Sequence, residues 1–126
     1  MGRFWPVALL VIGGTDQGRM TLHEVRLTGR FEPAIIEAHA GDSLRFVNGV
    51  GGPHNVQFAA DSIPGPMRAK LERAMGGDKI GPLSSPLLID RGESYGFRIP
   101  DLEPGQYPFF CLPHMASMRG VLVIVP

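Results

Sequence analysis

Gly105-Gln106-Tyr107-Pro108-Phe109-Phe110-Cys111 and the closing run Val121-Leu122-Val123-Ile124-Val125 decide how this chain folds. In the first stretch Tyr107, Phe109 and Cys111 fall on every second position, so a strand puts all three on one face. The second run is apolar, unbroken and β-branched, which predicts a strand covered on both sides. The same alternation recurs upstream. Leu44 shares a face with Phe46, Val56 with Phe58, and Tyr95 with Phe97 and Ile99. Turn signals separate these runs at Ala40-Gly41-Asp42, Asn48-Gly49, Gly51-Gly52-Pro53, Asp90-Arg91-Gly92 and Glu103-Pro104-Gly105. Strands beginning near residues 20 and 34 bring the total to seven or eight. The sum is an all-β sandwich or barrel.

One segment departs from the alternation. Between Pro66 and Met75 the apolar residues Met67, Leu71, Ala74 and Met75 recur at helical spacing. Pro66 suits a first helical position and Gly76-Gly77 a stop. The reading is a short amphipathic helix inserted between strands, with its methionines serving as core contacts.

The 126 residues suit a single domain, large enough to bury a core without covalent staples. With one cysteine, Cys111, the chain forms no internal disulfide. Twelve basic residues balance twelve acidic ones, so no positive field exists to attract nucleic acid or an anionic membrane. At the start, Arg3 precedes an apolar run from Phe4 to Ile12 and then Gly13-Gly14-Thr15. That resembles an export signal without a visible A-x-A cleavage site. The alternative is a first strand with Val7, Leu9 and Val11 alternating inward. The run is too short to cross a bilayer as a helix, which takes about 20 residues. The expected organisation is therefore an export or apolar segment over residues 1–19 and one folded domain over residues 20–126.

The candidate chemistry lies in Phe109-Phe110-Cys111-Leu112-Pro113-His114-Met115-Ala116-Ser117-Met118-Arg119-Gly120. Cys111 closes a strand facing inward, while His114 and Met118 fall in the loop that follows. A thiolate, an imidazole and a thioether converging on one point suit copper, because soft sulfur favours Cu(I) and imidazole accepts both oxidation states. His54 is the candidate fourth donor. It opens His54-Asn55-Val56-Gln57-Phe58, on the face of Val56 and Phe58, and would point inward at a strand end. His23, flanked by Arg and Glu, and His39, beside a turn, are expected to be solvated or locally bonded. Cys-x-x-His followed by Met also fits a buried thiol beside a surface imidazole; the upstream Pro53-His54-Asn55 weighs for a metal site.

Phe31-Glu32-Pro33, Ala40 to Asn48, Pro53 to Phe58 and Gly105 to His114 together resemble plastocyanin-like cupredoxins, over roughly residues 31 to 126. The resemblance implies an eight-stranded Greek-key sandwich with one type 1 copper at a pole. By position, His54, Cys111 and His114 become the strong equatorial ligands and Met118 the weak axial one. The backbone N–H of Asn55 becomes a donor to the cysteine sulfur, and its side chain a pin between ligand loops. It further implies single-electron transfer between larger redox proteins, outside the cytoplasm and usually in the periplasm or a comparable compartment. Membrane contact arises only if the N-terminal segment is kept, and the expected state is a monomer with no small-molecule substrate.

Three departures stand out. Plastocyanins place the methionine five residues after the loop histidine and amicyanin-like members three, whereas here the gap to Met118 is four. Met115, next to His114, would have to fold back sharply to bind. Phe110 stands where plant plastocyanins carry Tyr, and the insert from Pro64 to Gly77 exceeds what the simplest members carry. A Cu(I) carrier or storage protein would use the same four residues, but needs an exposed site. An enzyme with Cys111 as nucleophile needs an oxyanion hole that Pro113 and the flanking phenylalanines do not offer. Apolar and small residues around His114, namely Gly51, Gly52, Pro53, Leu112, Pro113 and Met115, are expected to form a flat docking patch.

Overall fold

Alternating apolar side chains become two four-stranded sheets that face each other. The computed structural model describes residues 20–126, so the expectations for residues 1–19 lie outside the described residues. The strands are β1 (Leu22–Leu27), β2 (Phe31–Glu32), β3 (Ile35–Ala38), β4 (Ser43–Asn48), β5 (Gln57–Phe58), β6 (Ser94–Arg98), β7 (Gly105–Phe110) and β8 (Arg119–Ile124). One sheet runs β2-β1-β4-β6 and the other β3-β8-β7-β5. Each is mixed: β1 pairs parallel with β4, and β3 parallel with β8, while the remaining pairs are antiparallel. The expected all-β cupredoxin-like sandwich of eight strands with one short helix is the fold observed.

The inner faces meet through aromatic rings. Phe109 packs edge-on against Phe31, Phe46 and Phe58, with ring centres 4.8, 5.8 and 5.6 Å away. Phe97 extends the cluster through Phe58. Burying each such ring is worth about 1.5–3 kcal/mol, and edge-to-face contacts add about 0.5–1.5 kcal/mol. The cluster lies directly beneath the end of β7 where Cys111 emerges, and so provides a stiff floor for that end of the sandwich.

Two strand expectations need correction. Val121, Val123 and Val125 are half-buried, whereas Leu122 and Ile124 are buried. A two-layer sandwich gives β8 only one inner face; its neighbours β3 and β7 merely shade the other. Around His54 the regular strand shrinks to Gln57–Phe58, preceded by isolated bridges from His54 to Leu88 and from Gln57 to Ser84. Every residue from His54 to Phe58 is buried, so alternation fails there because both faces are covered.

The insert forms α1 (Gly65–Ala74), with Pro64 at the N-cap and Pro66 in the first turn. Met67, Leu71 and, just past the last turn, Met75 are buried, as core contacts should be. The chain then returns through Gly76 to Leu88 alongside His54 to Phe58. Leu83 takes a φ of 55° in this return segment, and its N–H donates to Glu72 Oε1 of α1 at 3.0 Å. Among the described residues no helix is long and apolar enough to cross a membrane.

Candidate metal centre

Cys111 caps the end of β7, and the chain immediately tightens into a 3-10 turn at Leu112–His114 with Pro113 inside it. The loop then closes on itself. His114 N–H donates to Cys111 O at 3.0 Å, Met118 N–H to His114 O at 2.9 Å, and Cys111 N–H to Met118 O at 3.0 Å. These bonds pair the backbone of Cys111 with that of Met118 before β8 begins, so the Cys-to-Met segment is a small closed ring. Met118 is fully buried at its base.

Just ahead of β5, the neighbour of β7 in the same sheet, His54 is held by reciprocal backbone bonds with Leu88, 3.0 and 2.7 Å long. Its ring faces the loop. His54 Nδ1 lies 4.0 Å from Cys111 Sγ, and His114 Nδ1 lies 3.4 Å from the same sulfur. The donor atoms of His54, Cys111 and His114 all fall within 4.8 Å of one another. Nitrogen and sulfur donors that hold one ion at about 2.0–2.3 Å have this order of separation. The imidazole rings of His54 and His114 stand 5.1 Å apart, tilted by 45°.

Burial differs among the three. Cys111 and His54 are 0 % and 4 % exposed, whereas His114 belongs to the exposed part of the loop. Burial pushes the Cys111 thiol up, against the pull of hydrogen bonds from the backbone N–H groups of Asn55 and His114. Burial also pushes the His54 imidazole down, and nearby His114 adds to the effect; both favour the neutral ring, the form with a lone pair to offer. Its Nε2 is buried without a hydrogen-bond partner. Glycine at position 52 permits this packing, because a Cβ there would sit 2.5 Å from His54 Cδ2 and 2.8 Å from Nε2. Two imidazole nitrogens and a thiol converging within 4.8 Å are a poor structural filler and fit a metal ion well.

The structure thus brings three of the four sequence-predicted residues to one point and puts Met118 at the base of the same loop. Asn55 pins the two halves of the site, as its Oδ1 accepts the Leu112 N–H at 2.7 Å. His23 and His39 are elsewhere: His23 Nε2 contacts Asp42 Oδ2 at 2.9 Å, and the His39 backbone N–H donates to the same oxygen. Sequence reasoning missed the return segment. Ser85 Oγ accepts the Val56 N–H at 3.0 Å and Ser85 N–H donates to Val56 O at 2.8 Å, so this segment braces the His54 strand. Ser84-Ser85-Pro86 reads as an ordinary loop; only the length of the insert hinted that its return had to pack somewhere. Leu112, Pro113 and Met115, next to His114 in the chain, are exposed, as are Gly51 and Pro53.

The family model for copper binding proteins of the plastocyanin/azurin family matches residues 20–125. The chain is 35 % identical over 118 residues to the plastocyanin of Lactuca sativa, covering 93 % of this chain and 99 % of the lettuce protein. It is 33 % identical over 119 residues to the chloroplastic plastocyanin minor isoform of Arabidopsis thaliana, covering 94 % of this chain but only 58 % of that protein's length. Among solved structures, oxidised plastocyanin from the fern Dryopteris crassirhizoma superposes with a TM-score of 0.63 at 27 % identity. That match covers 82 % of this chain and all of the fern chain, 100 %.

Proposed function

The chain belongs to the plastocyanin/azurin family of copper-binding proteins, and from that premise we propose that it shuttles single electrons between larger redox proteins. In this reading one type 1 copper is held by His54, Cys111 and His114, with Met118 as the weaker fourth ligand. The observation that carries it is the convergence of three donor atoms within 4.8 Å, two on buried residues and one on an exposed residue.

Bound copper supplies a one-electron couple between Cu(I) and Cu(II). The remaining work falls to the chain. The paired backbone of Cys111 and Met118 and the reciprocal His54–Leu88 bonds fix the donors, so little has to move when the charge changes. Burial of Cys111 and His54 keeps water away and leaves no open position for a substrate, which supports a carrier over an enzyme. Exposed His114 offers the short route outward. Its neighbours Leu112, Pro113 and Met115 supply an apolar surface suited to brief contact with a partner. Burial of Cys111 also weighs against a role in handing Cu(I) to other proteins, since exchange needs an accessible sulfur.

We assign the copper domain to residues 20–126 and an export or anchoring role to residues 1–19. The protein would then act outside the cytoplasm as a monomer. The test is the visible and EPR spectrum of the purified protein after Cu(II) addition, beside Cys111→Ser. An intense blue band with narrow copper hyperfine splitting, lost in the variant, is the expected result. A colourless protein that binds only Cu(I) overturns the electron-carrier reading in favour of copper transport, and failure to bind either ion overturns both.

A further inference from the structure

Gln57 is a buried polar residue where an apolar one would cost less. It is 7 % exposed and lies opposite Phe110, the residue before Cys111. A primary amide in such a place must be paired to be tolerated. We propose that Gln57 is a positioning residue for the metal-binding loop, acting through Asn55. The consequence for copper rests on the function proposed above; the geometry does not.

Asn55 is fully buried, and its amide makes two contacts of opposite sense. Oδ1 accepts the Leu112 N–H at 2.7 Å, while Nδ2 donates to Gln57 Oε1 at 3.5 Å. Turning that amide over would set a donor against the Leu112 N–H and an acceptor against Gln57 Oε1. Gln57 therefore reinforces the one orientation that ties Leu112, and with it Cys111, to the His54 strand. The 3.5 Å contact is at the long end for a hydrogen bond, so its share of the effect is modest.

Gly81 lies close behind the Gln57 amide. The backbone at Gly81 approaches so closely that a Cβ there would lie 2.9 Å from Gln57 Nε2 and 3.5 Å from Oε1. Gly81 is kept in place by Ser84, whose Oγ accepts the N–H groups of Ile80 at 2.9 Å and Gly81 at 3.1 Å. Ser84 bridges back to Gln57, and neighbouring Leu83 is tied to Glu72 of α1. Hydrogen bonds tie α1 to Leu83 and Ser84 to Gly81, a backbone bridge joins Ser84 to Gln57, and hydrogen bonds carry on through Asn55 to Leu112. The insert thereby has a role: its return segment braces the metal loop.

The experiment follows amide hydrogen exchange by NMR in the full-length chain, both metal-free and loaded with closed-shell Cu(I). Wild type is compared with Gln57→Leu, Gln57→Glu and Gly81→Ala. Gln57→Leu should speed exchange at the Leu112 amide by about threefold or more, the order of one weak neutral hydrogen bond. Amides of β4 should be unchanged. Gln57→Glu should retain protection, because a carboxyl oxygen, ionised or protonated, still accepts from Asn55 Nδ2. Gly81→Ala should loosen Leu112 by displacing the Gln57 amide, and it carries the test alone should Gln57→Leu fail to fold. Unchanged Leu112 protection in Gln57→Leu overturns the proposal, as does equal loss in the Leu and Glu variants, which would mark mere packing. Faster Leu112 exchange in a protein that never turns blue with Cu(II) would break the electron-carrier reading and leave the brace intact.

Discussion

The two ends of the sandwich each gather histidines around a buried group, and they treat its polar atoms in opposite ways. At the start of β4, Asp42 is 4 % exposed, and its carboxylate is fully engaged. Oδ1 accepts the Thr21 N–H at 3.2 Å, and Oδ2 accepts from His23 Nε2 at 2.9 Å and the His39 N–H at 3.0 Å. At the other end, past β7, His54 Nε2 has no partner, and the Nδ1 atoms of two histidines face a sulfur. One end is saturated by the protein's own donors, whereas the other gathers three potential metal ligands within 4.8 Å of one another. Two imidazole nitrogens and a thiol gathered so closely mark a ligand site, whereas the unpaired Nε2 is the other ring nitrogen of His54 and faces Gly52. Histidine count alone would not have separated the two ends.

Removing the key residue from each end gives the largest test of that contrast. His54→Leu should abolish the blue Cu(II) signature while changing the stability of the metal-free protein by no more than about 1 kcal/mol, since it nearly keeps the buried volume and removes an unpaired polar atom. Asp42→Ala should do the reverse. Losing hydrogen bonds to a buried carboxylate should destabilise the fold by about 2–3 kcal/mol, with the copper spectrum intact. Urea unfolding of the metal-free proteins and copper titration of each variant measure both quantities. If His54→Leu destabilised the fold as much as Asp42→Ala, the ends would not differ in kind.

The same contrast explains what was legible in the sequence. Alternation along residues 44–46, 95–99 and 107–109 marks true sandwich strands because each has one buried face. The grouping of His54, Cys111 and His114, with Met118 proposed as their fourth partner, was legible through chemical types and spacing, since few structural roles need a thiol, two imidazoles and a thioether near strand ends. His23 and His39 were set aside as solvated or locally bonded, and His23 bonds Asp42 through its ring while His39 does so through its backbone N–H with its ring exposed. What could not be read depends on pairing between distant segments. Gln57 on an alternating strand looks solvent-facing until the return segment, folded back by α1, covers it. Likewise, the β-branched run at Val121 to Val125 carries no mark of having one inner face only.

A smaller effect separates the ends by pH. Burial raises the Asp42 carboxyl, but hydrogen bonds from His23, His39 and Thr21 outweigh it and hold the group below its ordinary value of 3.8. A carboxylate depressed in the folded state stabilises the protein fully above the unfolded value, and that stability is lost as pH falls through the folded one. The urea midpoint of the metal-free wild type should therefore fall more steeply between about pH 5 and pH 3 than that of Asp42→Asn. Glu93 is also held low, by the N–H groups of Asp90 and Ile89, but it is present in both proteins, so the difference between the two curves isolates Asp42. Parallel curves would remove the saturated carboxylate from the account of that end.

The finest comparison sets two buried methionines side by side. Met67, on α1, is 5 % exposed and its Sδ accepts the Glu103 N–H at 3.4 Å. Met118 is fully buried beneath the Cys111 loop. Leucine nearly conserves the volume of methionine, so Met67→Leu and Met118→Leu should each cost less than about 1.5 kcal/mol in metal-free stability. Only the second should touch the metal. A thioether near copper, even a weak ligand, donates to the more highly charged Cu(II) and stabilises it relative to Cu(I). Replacing it by a hydrocarbon withdraws that donation and makes the surroundings more apolar, and both changes favour the lower charge. Met118→Leu should therefore raise the reduction potential and leave the Cys-derived blue band in place, while Met67→Leu should leave both unaltered. Equal potentials in the two variants would show that Met118 is packing, like Met67, and would reduce the site to three ligands.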